Sequence, residues 1–572
     1  MNTGQFKSFD GASIFYREWD VRGESNGKIV LLLHRGHEHS GRLDSIAKLP
    51  LFSGYKVFSY DNRGHGYTKE KATHEFMNLV RDLDVFVHFV CEKEHAKPED
   101  IFIVANSVAG VVASTWVHDF APSIAGMALI APAFKIKLYV PLAKPALEAM
   151  LCFNKDLNVK SYVKAKFLTH NEKEQAAYNE DPLITPNIPA GQLVTLLDSA
   201  KRVVEDAGVI VTPTLILSAT KDYVVDSRVQ KVFYDHVSSP LKRFIALEGF
   251  YHGMLYEQDA RLAFDEIDDF MKKVFEKKSS DSFDMLVNLM QQEKEHIVQN
   301  KIPVCEKYTY KFQRFMLHRL GHLSDGMKIG LRYGFDSGVN LDYVYRNIPS
   351  GDGFFGKMID KNYLNSIGWK GIRQRKIHAI ETLQKRIDFL HQQGQKVRIL
   401  DIAGGPARYL IELAKENPKS EILVRDYQEH NIEQGRALAR EYGLENITYE
   451  QADAFDKASY ETMDYRPNIV IISGVFELFD DNQLIQKAID GVASVIDKEG
   501  FLIYTGQPWH PQLKQIAYVL GNHQNEPWIM RRRSQSELDT LFKRSGFEKM
   551  SMKIDNWGIF TVSLAQFRGT SN

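Results

Sequence analysis

The chain has 572 residues, of which 44% are hydrophobic, and 72 Lys plus Arg oppose 73 Asp plus Glu. This length exceeds what one hydrophobic core usually supports, so two substantial domains are predicted. A net charge of -1 excludes the strongly basic surface of many nucleic-acid-binding proteins, and no nucleic-acid partner is expected.

Short apolar runs alternate with helix-length segments through the first half of the chain. This alternation predicts parallel strands joined by helices, which is a doubly wound α/β sheet. The predicted strands are Lys28 to His34, Tyr55 to Asp61, Asp100 to Ser107, Gly126 to Ala133, Pro213 to Ala219 and Arg243 to Glu248.

The stretch 134–208 interrupts this alternation. It is far longer than the dozen or so residues that a crossover needs. The stretch therefore predicts a mostly helical cap inserted over the edge of the first sheet.

A second series of strands predicts a second α/β domain that ends in an antiparallel hairpin. Its predicted strands are Val397 to Ile402, Glu421 to Asp426, Ile447 to Gln451, Ile469 to Ser473, Phe501 to Thr505, Glu548 to Ile554 and Ile559 to Gln566. The polar stretch from Lys277 to Ser282 suits a linker. We expect domains at 1–275 and 341–572, with a linker and helical bridging segment at 276–340.

A serine in the first domain lies between a predicted strand and a predicted helix. The pentapeptide from Ala105 to Ala109 occupies the G-x-S-x-G positions of a nucleophile elbow, centred on Ser107. A serine becomes nucleophilic when a histidine takes its proton and a carboxylate orients that histidine. Asp222 and His252 follow two later strands in the order that this elbow fold uses. Each residue alone is better explained as a cap or turn residue, but together they predict catalysis.

Ester chemistry also needs two backbone N–H groups that face the developing oxyanion. One is expected from Val108, directly after the serine, and the other from the loop 34–42 after the first buried strand.

This loop resembles the monoacylglycerol lipase and lysophospholipase branch of the α/β-hydrolases, as do Tyr60 to Gly66, Leu168 to Asn171 and Ala177 to Ile184. The resemblance covers roughly residues 9–270 and implies hydrolysis of an acyl-glycerol or lysolipid ester under a lipid-facing cap. It assigns Ser107 as nucleophile, Asp222 as acid, His252 as base, and Gly36 and Val108 as oxyanion donors. The chain departs from the family at Arg35, where the family has glycine, and at the two elbow alanines, Ala105 and Ala109.

Small residues follow the first strand of the second series. The loop from Asp401 to Arg408 contains Ala403, Gly404 and Gly405. Such residues let a backbone approach a ligand closely, and the following helix N-terminus favours a negative group. The loop alone would fit a dinucleotide nearly as well.

Two carboxylates follow at the ends of later strands. Asp426 ends the next strand, where such folds place an acid against ribose hydroxyls. Asp453, followed by Ala454, ends the strand after that, where it could accept a hydrogen bond from an adenine amine. Helix capping explains each acid equally well.

The loop, the two acids and the closing hairpin resemble class I S-adenosylmethionine-dependent methyltransferases over roughly residues 370–567. The resemblance implies S-adenosylmethionine as cofactor, held by Asp401, Ala403, Gly404, Gly405, Asp426, Asp453 and Ala454. A dinucleotide fold would lack the hairpin. The segment 319–347 also resembles the region before the cofactor fold in bacterial methyltransferase-family proteins fused to such hydrolases.

The methyl acceptor is not identified by any motif. Glu477, Trp509 and His510 follow predicted strands and are candidates for contacting it, although packing or capping also explains them. Residues 531–533 are three arginines, which we interpret as a solvated charged face and alternatively as a phosphate site.

The expected protein is therefore a bifunctional enzyme that acts on small-molecule or lipid substrates. Two alternatives stay open: a methyltransferase with an inactive hydrolase-like binding domain, and a non-enzymatic lipid-binding scaffold. The three cysteines are widely spaced, so neither a disulfide framework nor a metal site is expected. With no visible signal peptide or membrane span, we expect a cytoplasmic protein, while peripheral membrane contact and the oligomeric state stay open.

Overall fold

A computed structural model describes residues 1–276 and 282–569 of the chain. Residues 277–281 of the expected linker lie outside the described residues. The chain divides into two compact units, Met1–Ser282 and Phe283–Asn572.

The first unit is built on an eight-stranded sheet in the order β1-β2-β4-β3-β5-β6-β9-β10. The pairs β1–β2 and β2–β4 are antiparallel and the other neighbours are parallel. A separate antiparallel pair, β7–β8, lies in the cap sequence. The strands are β1 (Asn2–Lys7), β2 (Ser13–Trp19), β3 (Ile29–Leu33), β4 (Lys56–Tyr60), β5 (Ile101–Asn106), β6 (Gly126–Ile130), β7 (Asn158–Lys160), β8 (Asn187–Pro189), β9 (Thr214–Ala219) and β10 (Lys242–Leu247).

Helices follow most of these strands, and three of them belong to the cap. The helices are α1 (Asp44–Ala47), α2 (Met77–Glu94), α3 (Val108–Phe120), α4 (Ala143–Leu151), α5 (Glu172–Glu180), α6 (Ala190–Glu205), α7 (Ser227–His236) and α8 (Arg261–Glu276). The apolar face of α8 packs on the sheet through Ile267 and Phe270, which join strand residues such as Val30 and Val104 in one core.

The second unit contains a seven-stranded sheet in the order β13-β12-β11-β14-β15-β17-β16. The first five strands in this order run parallel, and β17 is antiparallel to both β15 and β16. The strands are β11 (Arg398–Ile402), β12 (Glu421–Asp426), β13 (Ile447–Gln451), β14 (Ile469–Ile472), β15 (Phe501–Gly506), β16 (Phe547–Ile554) and β17 (Thr561–Phe567).

Helices precede and cover this second sheet. They are α9 (Phe283–Val298), α10 (Val304–Leu320), α11 (Asp325–Tyr333), α12 (Gly338–Arg346), α13 (Gly353–Leu364), α14 (Ile367–Gln392), α15 (Arg408–Glu416), α16 (Glu429–Glu441), α17 (Lys457–Glu461), α18 (Asn482–Val495), α19 (Leu513–Val519) and α20 (Gln535–Arg544).

Alternation along the central strands supplies two cores, one on each face of the second sheet. Ile399 of β11 packs with helices α14 and α15, whereas its neighbour Leu400 packs with α18 and α20. Successive strand residues point to opposite faces, so a strand covered on both faces is apolar throughout. This is why the continuous apolar runs were predictive.

The predicted fold class is confirmed: both units are α/β, and the second closes with an antiparallel hairpin. The structure has a strand at each predicted position. It adds the antiparallel strands β1 and β2 and the short pair in the cap, which the sequence analysis did not predict. Among the described residues, no helix is long and apolar enough to cross a membrane.

Candidate active sites

Ser107 lies at the sharp turn between β5 and α3. Its backbone has φ 57° and ψ -112°, a left-handed conformation that is strained for a residue with a side chain. Ala105 and Ala109, two residues to either side, are buried within the turn. At Gly110 an added Cβ would lie 2.8 Å from Cβ of Pro132. The turn therefore accommodates alanine at both of the usual glycine positions. The close packing that requires a glycine occurs one residue later, where Gly110 lies against Pro132.

The structure brings together the three side chains that were predicted to form a catalytic triad. His252 Nε2 lies 2.8 Å from Ser107 Oγ, and His252 Nδ1 lies 2.8 Å from Asp222 Oδ2. All three residues are buried. The second Asp222 oxygen accepts the backbone N–H groups of Val224 at 2.7 Å and Val225 at 2.9 Å. The serine, imidazole and carboxylate thus form one continuous chain of hydrogen bonds.

Asp222 is the charged end of this chain. Burial opposes its ionisation, but the His252 imidazole and two backbone N–H donors outweigh burial and hold the pKa of Asp222 below its usual range. An ionised carboxylate can only accept, so Nδ1 of His252 carries a proton. Nε2 is then free to accept a proton from Ser107.

The loop 34–42 lies beside this triad and is fixed by its own side chains. His34 Nδ1 lies 2.8 Å from the Arg35 carbonyl oxygen, and His34 Nε2 accepts the Asn62 N–H at 3.1 Å. Asp61 Oδ1 accepts the N–H and the hydroxyl of Ser40. Gly36 faces Val108, since an added Cβ would lie 3.3 Å from Val108 Cγ2. The two expected oxyanion donors are therefore neighbours.

Arg35 occupies the position at which the resembled family has glycine. Its Nη2 donates to Glu38 Oε1 at 2.7 Å, and its guanidinium lies 5.0 Å from the centroid of the Tyr256 ring. Arg35 is buried, and an added Cβ at Gly253 would meet its Nη1. The arginine is thus packed against the residue that follows His252.

A cavity of about 570 Å³ opens onto Ser107 and lies beneath the cap. The Ser107, His252 and Gly36 side of this cavity is polar, whereas the cap contributes mainly apolar side chains. The cap residues include Leu138, Val140, Leu147, Val163, Leu193 and Leu196. This arrangement can hold an apolar chain next to a nucleophilic hydroxyl.

In the second unit, the loop between β11 and α15 is built from left-handed residues. Ala403, Gly405 and Ala407 all have positive φ, at 53°, 59° and 48°. Gly404 is confined, because an added Cβ would lie 2.2 Å from Asp401 Oδ2, whereas a Cβ at Gly405 would meet nothing within 4 Å. One side of the loop is therefore closely packed and the other is open.

Asp426, one of the two strand-end acids predicted to contact the cofactor, lies against this loop, whose first residue is Asp401. Asp426 Oδ2 accepts the Gly405 N–H at 2.9 Å, and its other oxygen accepts the Gln428 N–H at 2.9 Å. Asp401 Oδ2 accepts the Tyr409 hydroxyl at 2.7 Å. Asp401 Oδ1 is buried and has no hydrogen-bond partner within the described residues.

The pKa of the Asp401 carboxyl group is shifted by its surroundings. Burial and the nearby Asp426 charge raise its pKa to about 8, although the Tyr409 hydrogen bond acts in the opposite direction. A neutral carboxyl group offers both a donor and an acceptor. The unpartnered oxygen and the open side at Gly405 fit a polar ligand that brings its own hydrogen-bonding groups.

The remaining predicted cofactor residues, Asp453 and Ala454, lie at the edge of this loop. Asp453 is exposed, and its Oδ1 accepts the Phe455 N–H at 2.9 Å, whereas the following helix α17 is capped by Asp456. Asp453 and Ala454 share a narrow cleft with Ala403. They are thus on the loop's side of the sheet, but within the described residues neither is hydrogen-bonded to the side chain of Asp401 or Asp426.

The arginines at 531–533 are not a solvated face, and this interpretation was wrong. All three are buried. Arg531 donates to Glu537 at 2.8 Å, Arg532 to the Pro508 carbonyl at 2.7 Å, and Arg533 to Asn482 at 2.8 Å. Carboxylate and carbonyl oxygens thus stabilise these buried positive charges.

Comparisons with known proteins match the two units separately. A family model described as "Putative methyltransferase" matches residues 267–567, and one described as "Serine aminopeptidase, S33" matches residues 24–259. Human monoglyceride lipase is 26% identical over 254 residues, which span 42% of this chain and 80% of that protein. The crystal structure of a monoacylglycerol lipase from Paleococcus ferrophilus aligns with a TM-score of 0.42 and 20% identity, covering 46% of this chain and 99% of that one.

One relative matches along nearly the whole length. The protein described as "Uncharacterized protein YnbC" of Escherichia coli (strain K12) is 40% identical over 570 residues, 98% of this chain and 97% of that protein. The methyltransferase model alone covers just over half of the chain. The chain, which joins an S33-type hydrolase domain to a methyltransferase domain, therefore belongs to the family described as putative methyltransferases.

Proposed function

We propose that the protein is a bifunctional enzyme, with a serine ester hydrolase in the first unit and an S-adenosylmethionine-dependent methyltransferase in the second. The observation that carries the hydrolase assignment is the buried hydrogen-bonded chain from Ser107 through His252 to Asp222. Each group alone has an ordinary structural explanation. Their joint burial around a cavity is the arrangement that activates a serine nucleophile.

The hydrolytic cycle follows from the positions of these groups. Ser107 Oγ bonds to the ester carbonyl carbon while His252 Nε2 takes the hydroxyl proton. The Gly36 and Val108 N–H groups stabilise the negative charge on the carbonyl oxygen. The carbon–oxygen bond to the leaving alcohol then breaks, and His252 returns the proton to that alcohol. Water, activated by the same imidazole, releases the acyl group from Ser107 as a carboxylic acid.

The proposed substrate is an acyl-glycerol or lysolipid ester. Apolar cap residues around a cavity of about 570 Å³ favour a fatty acyl chain, because burying apolar surface is the main favourable term in binding such a chain. Similarity to human monoglyceride lipase supports the same class. The proposed setting is the cytoplasm, with peripheral access to membrane lipids through the cap.

In the second unit, the proposed cofactor is S-adenosylmethionine. The open loop at Gly405, the unpartnered Asp401 oxygen and Asp426 fit its amino acid and ribose portions, and Asp453 with Ala454 is assigned to adenine. The bound cofactor supplies a methyl group on a sulfonium centre. The residues of this chain orient the cofactor through the loop backbone and exclude water around it.

Fluorophosphonate labelling tests the hydrolase. The probe forms a covalent bond with an activated serine, so we expect one adduct, at Ser107, that is absent in Ser107→Ala. Ser114→Ala is the matched control, because Ser114 is buried in α3, the helix that follows Ser107, and its hydroxyl donates to the Gly110 carbonyl. Absence of an adduct in folded wild-type protein would favour the alternative of an inactive binding domain.

Calorimetry with S-adenosylmethionine tests the second unit. We expect saturable binding that falls at least about tenfold in Asp426→Asn, which weakens both the charge and the fixed Gly405 contact. Asp388→Asn, at an exposed position of α14, should bind as tightly as the wild type. No binding to the folded wild type, together with no fluorophosphonate adduct, would favour the non-enzymatic scaffold.

A further inference from the structure

The second unit contains a large cavity beside the carboxyl ends of β14 and β15. Its volume is about 540 Å³, and helices α10, α13, α14 and α19 cover it. Gly474 and Glu477 follow β14, and Gln507 and His510 follow β15, so these four residues form its polar end. Ligands of α/β sheets bind at this edge. The cavity has the volume of a small-molecule site.

Apolar side chains form most of the remaining wall. The rings of Trp369 and Trp528 are stacked with centroids 6.4 Å apart, and Met316, Leu317, Ile372 and Phe560 line the same space. Phe312, which also lines it, is more than half exposed. A surface of this kind favours a ligand with a long or bulky apolar body.

Two unpartnered polar atoms lie at the end of the cavity nearest the sheet. Glu477 Oε2 and Gln507 Nε2 are buried and have no hydrogen-bond partner within the part of the chain that the structure describes. Glu477 is 9% and Gln507 4% exposed. Burying such groups without partners is unfavourable. An acceptor and a donor at neighbouring strand ends are together suited to a group that can both donate and accept.

The charges around the cavity indicate that this group is uncharged. Among the described residues, the charged side chains that line it are Arg375, Glu477 and Asp336. Arg375 Nη1 is already paired with Glu477 Oε1 at 3.2 Å, so no positive charge is left in excess. An anionic head group at the polar end would be buried beside the Glu477 carboxylate, which is strongly unfavourable.

His510 contributes a donor to the same end of the cavity. Its Nδ1 accepts the Gln512 N–H at 3.0 Å, so in the neutral ring the proton lies on Nε2. Burial lowers the pKa of His510 to about 3, which keeps the ring neutral. The imidazole can therefore donate a hydrogen bond to an oxygen but cannot act as a base through Nε2.

We propose that this cavity binds the methyl acceptor, and that the acceptor is an uncharged amphiphile whose hydroxyl group lies between Glu477 and Gln507. The inference rests on the proposed methyltransferase function of the second unit. The hydroxyl group donates a hydrogen bond to Glu477 and accepts one from Gln507. The apolar body lies against Trp369 and Trp528.

Quenching of tryptophan fluorescence by ω-bromododecanol tests the proposal in the full-length protein. Bromine quenches on contact, and none of the described residues that line the cavity at Ser107 is a tryptophan. We expect saturable quenching that is lost in the double variant Trp369→Phe, Trp528→Phe. ω-Bromododecanoic acid, which carries a carboxylate, should bind at least about tenfold more weakly.

Glu477→Gln tests which residue discriminates between these two probes. The variant keeps the side chain's size and removes its charge, so the preference for the alcohol should fall to less than about threefold. Glu433→Gln, at an exposed position of α16, should keep the full preference, and far-UV circular dichroism checks folding of each variant. Equal affinity of the wild type for both probes, or quenching that the double tryptophan variant retains, would overturn the proposal.

The same samples separate this inference from the proposed function. S-adenosylmethionine binding with no saturable quenching would overturn the acceptor cavity and leave the methyltransferase assignment in place. Saturable quenching without S-adenosylmethionine binding would overturn the acceptor role and leave only a lipid-binding cavity.

Discussion

The substitution Asp222→Asn should inactivate the hydrolase by reversing the direction of one hydrogen bond. Asp222 Oδ1 accepts two backbone N–H groups, and Oδ2 faces His252. An asparagine has a single carbonyl oxygen, and the two backbone donors will retain it. Its NH₂ group must then face Nδ1 of His252 and donate to it. The imidazole proton moves to Nε2, which can no longer accept the proton of Ser107.

The magnitude follows from the contacts at each end of the side chain. Flipping the amide to restore the bond to His252 would sacrifice two backbone hydrogen bonds, at about 1 kcal/mol each, so the inactive orientation prevails. Loss of the correct tautomer in a serine triad lowers kcat by about 10⁴-fold, or roughly 5 kcal/mol of barrier. Binding and the oxyanion donors should sustain the residual activity.

The assay is hydrolysis of p-nitrophenyl butyrate at neutral pH, together with the rate of fluorophosphonate labelling. Asp226→Asn is the matched control. Asp226 caps α7 through the Arg228 N–H, and asparagine caps a helix equally well. Activity of Asp222→Asn above a tenth of the wild-type value would refute the assignment of Asp222 as the residue that orients His252.

Four further substitutions test individual contacts. Asp401→Asn should raise the free energy of unfolding, measured in urea, by roughly 2–4 kcal/mol at neutral pH and little at pH 4. The reason is that a carboxyl group with a pKa of about 8 in the folded protein lowers the stability of the wild type as pH rises between about 4 and 8, and asparagine has no such group. Gly404→Ala should abolish S-adenosylmethionine binding in calorimetry, since the added Cβ would lie 2.2 Å from the Asp401 carboxyl oxygen. Gly405→Ala should only lower the free energy of unfolding, by about 1 kcal/mol, because residue 405 has a positive φ. Gly110→Ala should lower the unfolding free energy by about 1–2 kcal/mol in thermal denaturation, because its Cβ would press on Pro132.

Each of these predictions has a contrary outcome. A stability gain for Asp401→Asn that is independent of pH would mean that the carboxyl group is not protonated in the fold. Equal cofactor affinity of the two loop glycine variants would mean that the confined position next to Asp401 is not part of the site. An unchanged melting temperature for Gly110→Ala would mean that the elbow can relax around an added methyl group.

The sequence predicted the sheets and the triad because their signals are local. Buried strands are continuous apolar runs, and Ser107, Asp222 and His252 follow three of them directly. The parallel topology then gathers strand ends at one edge. Strands β1 and β2 escaped prediction because neither is a continuous apolar run: β1 has one buried residue, Phe6, and β2 includes the charged residues Arg17 and Glu18.

The acceptor cavity had no comparable signal. Its lining comes from helices and loops between residues 312 and 560, and no short motif joins them. Glu477 and His510 were candidates from their position after strands, but Gln507 and Arg375 were not. The interpretation of the arginines at 531–533 as a solvated face was wrong for the same reason. Glu293, a partner of Arg532, is 239 positions away in the sequence, and only the folded chain brings the two together.

The left-handed backbone of Ser107 has a consequence for how reactivity and robustness are balanced. A side chain in that conformation destabilises the fold by an amount of order 1–3 kcal/mol, and glycine would relieve it at once. A domain that only stored or carried lipids would therefore be more stable with glycine at this position. The chain instead keeps a hydroxyl group at a residue with positive φ, which suits the proposed role of Ser107 as the nucleophile.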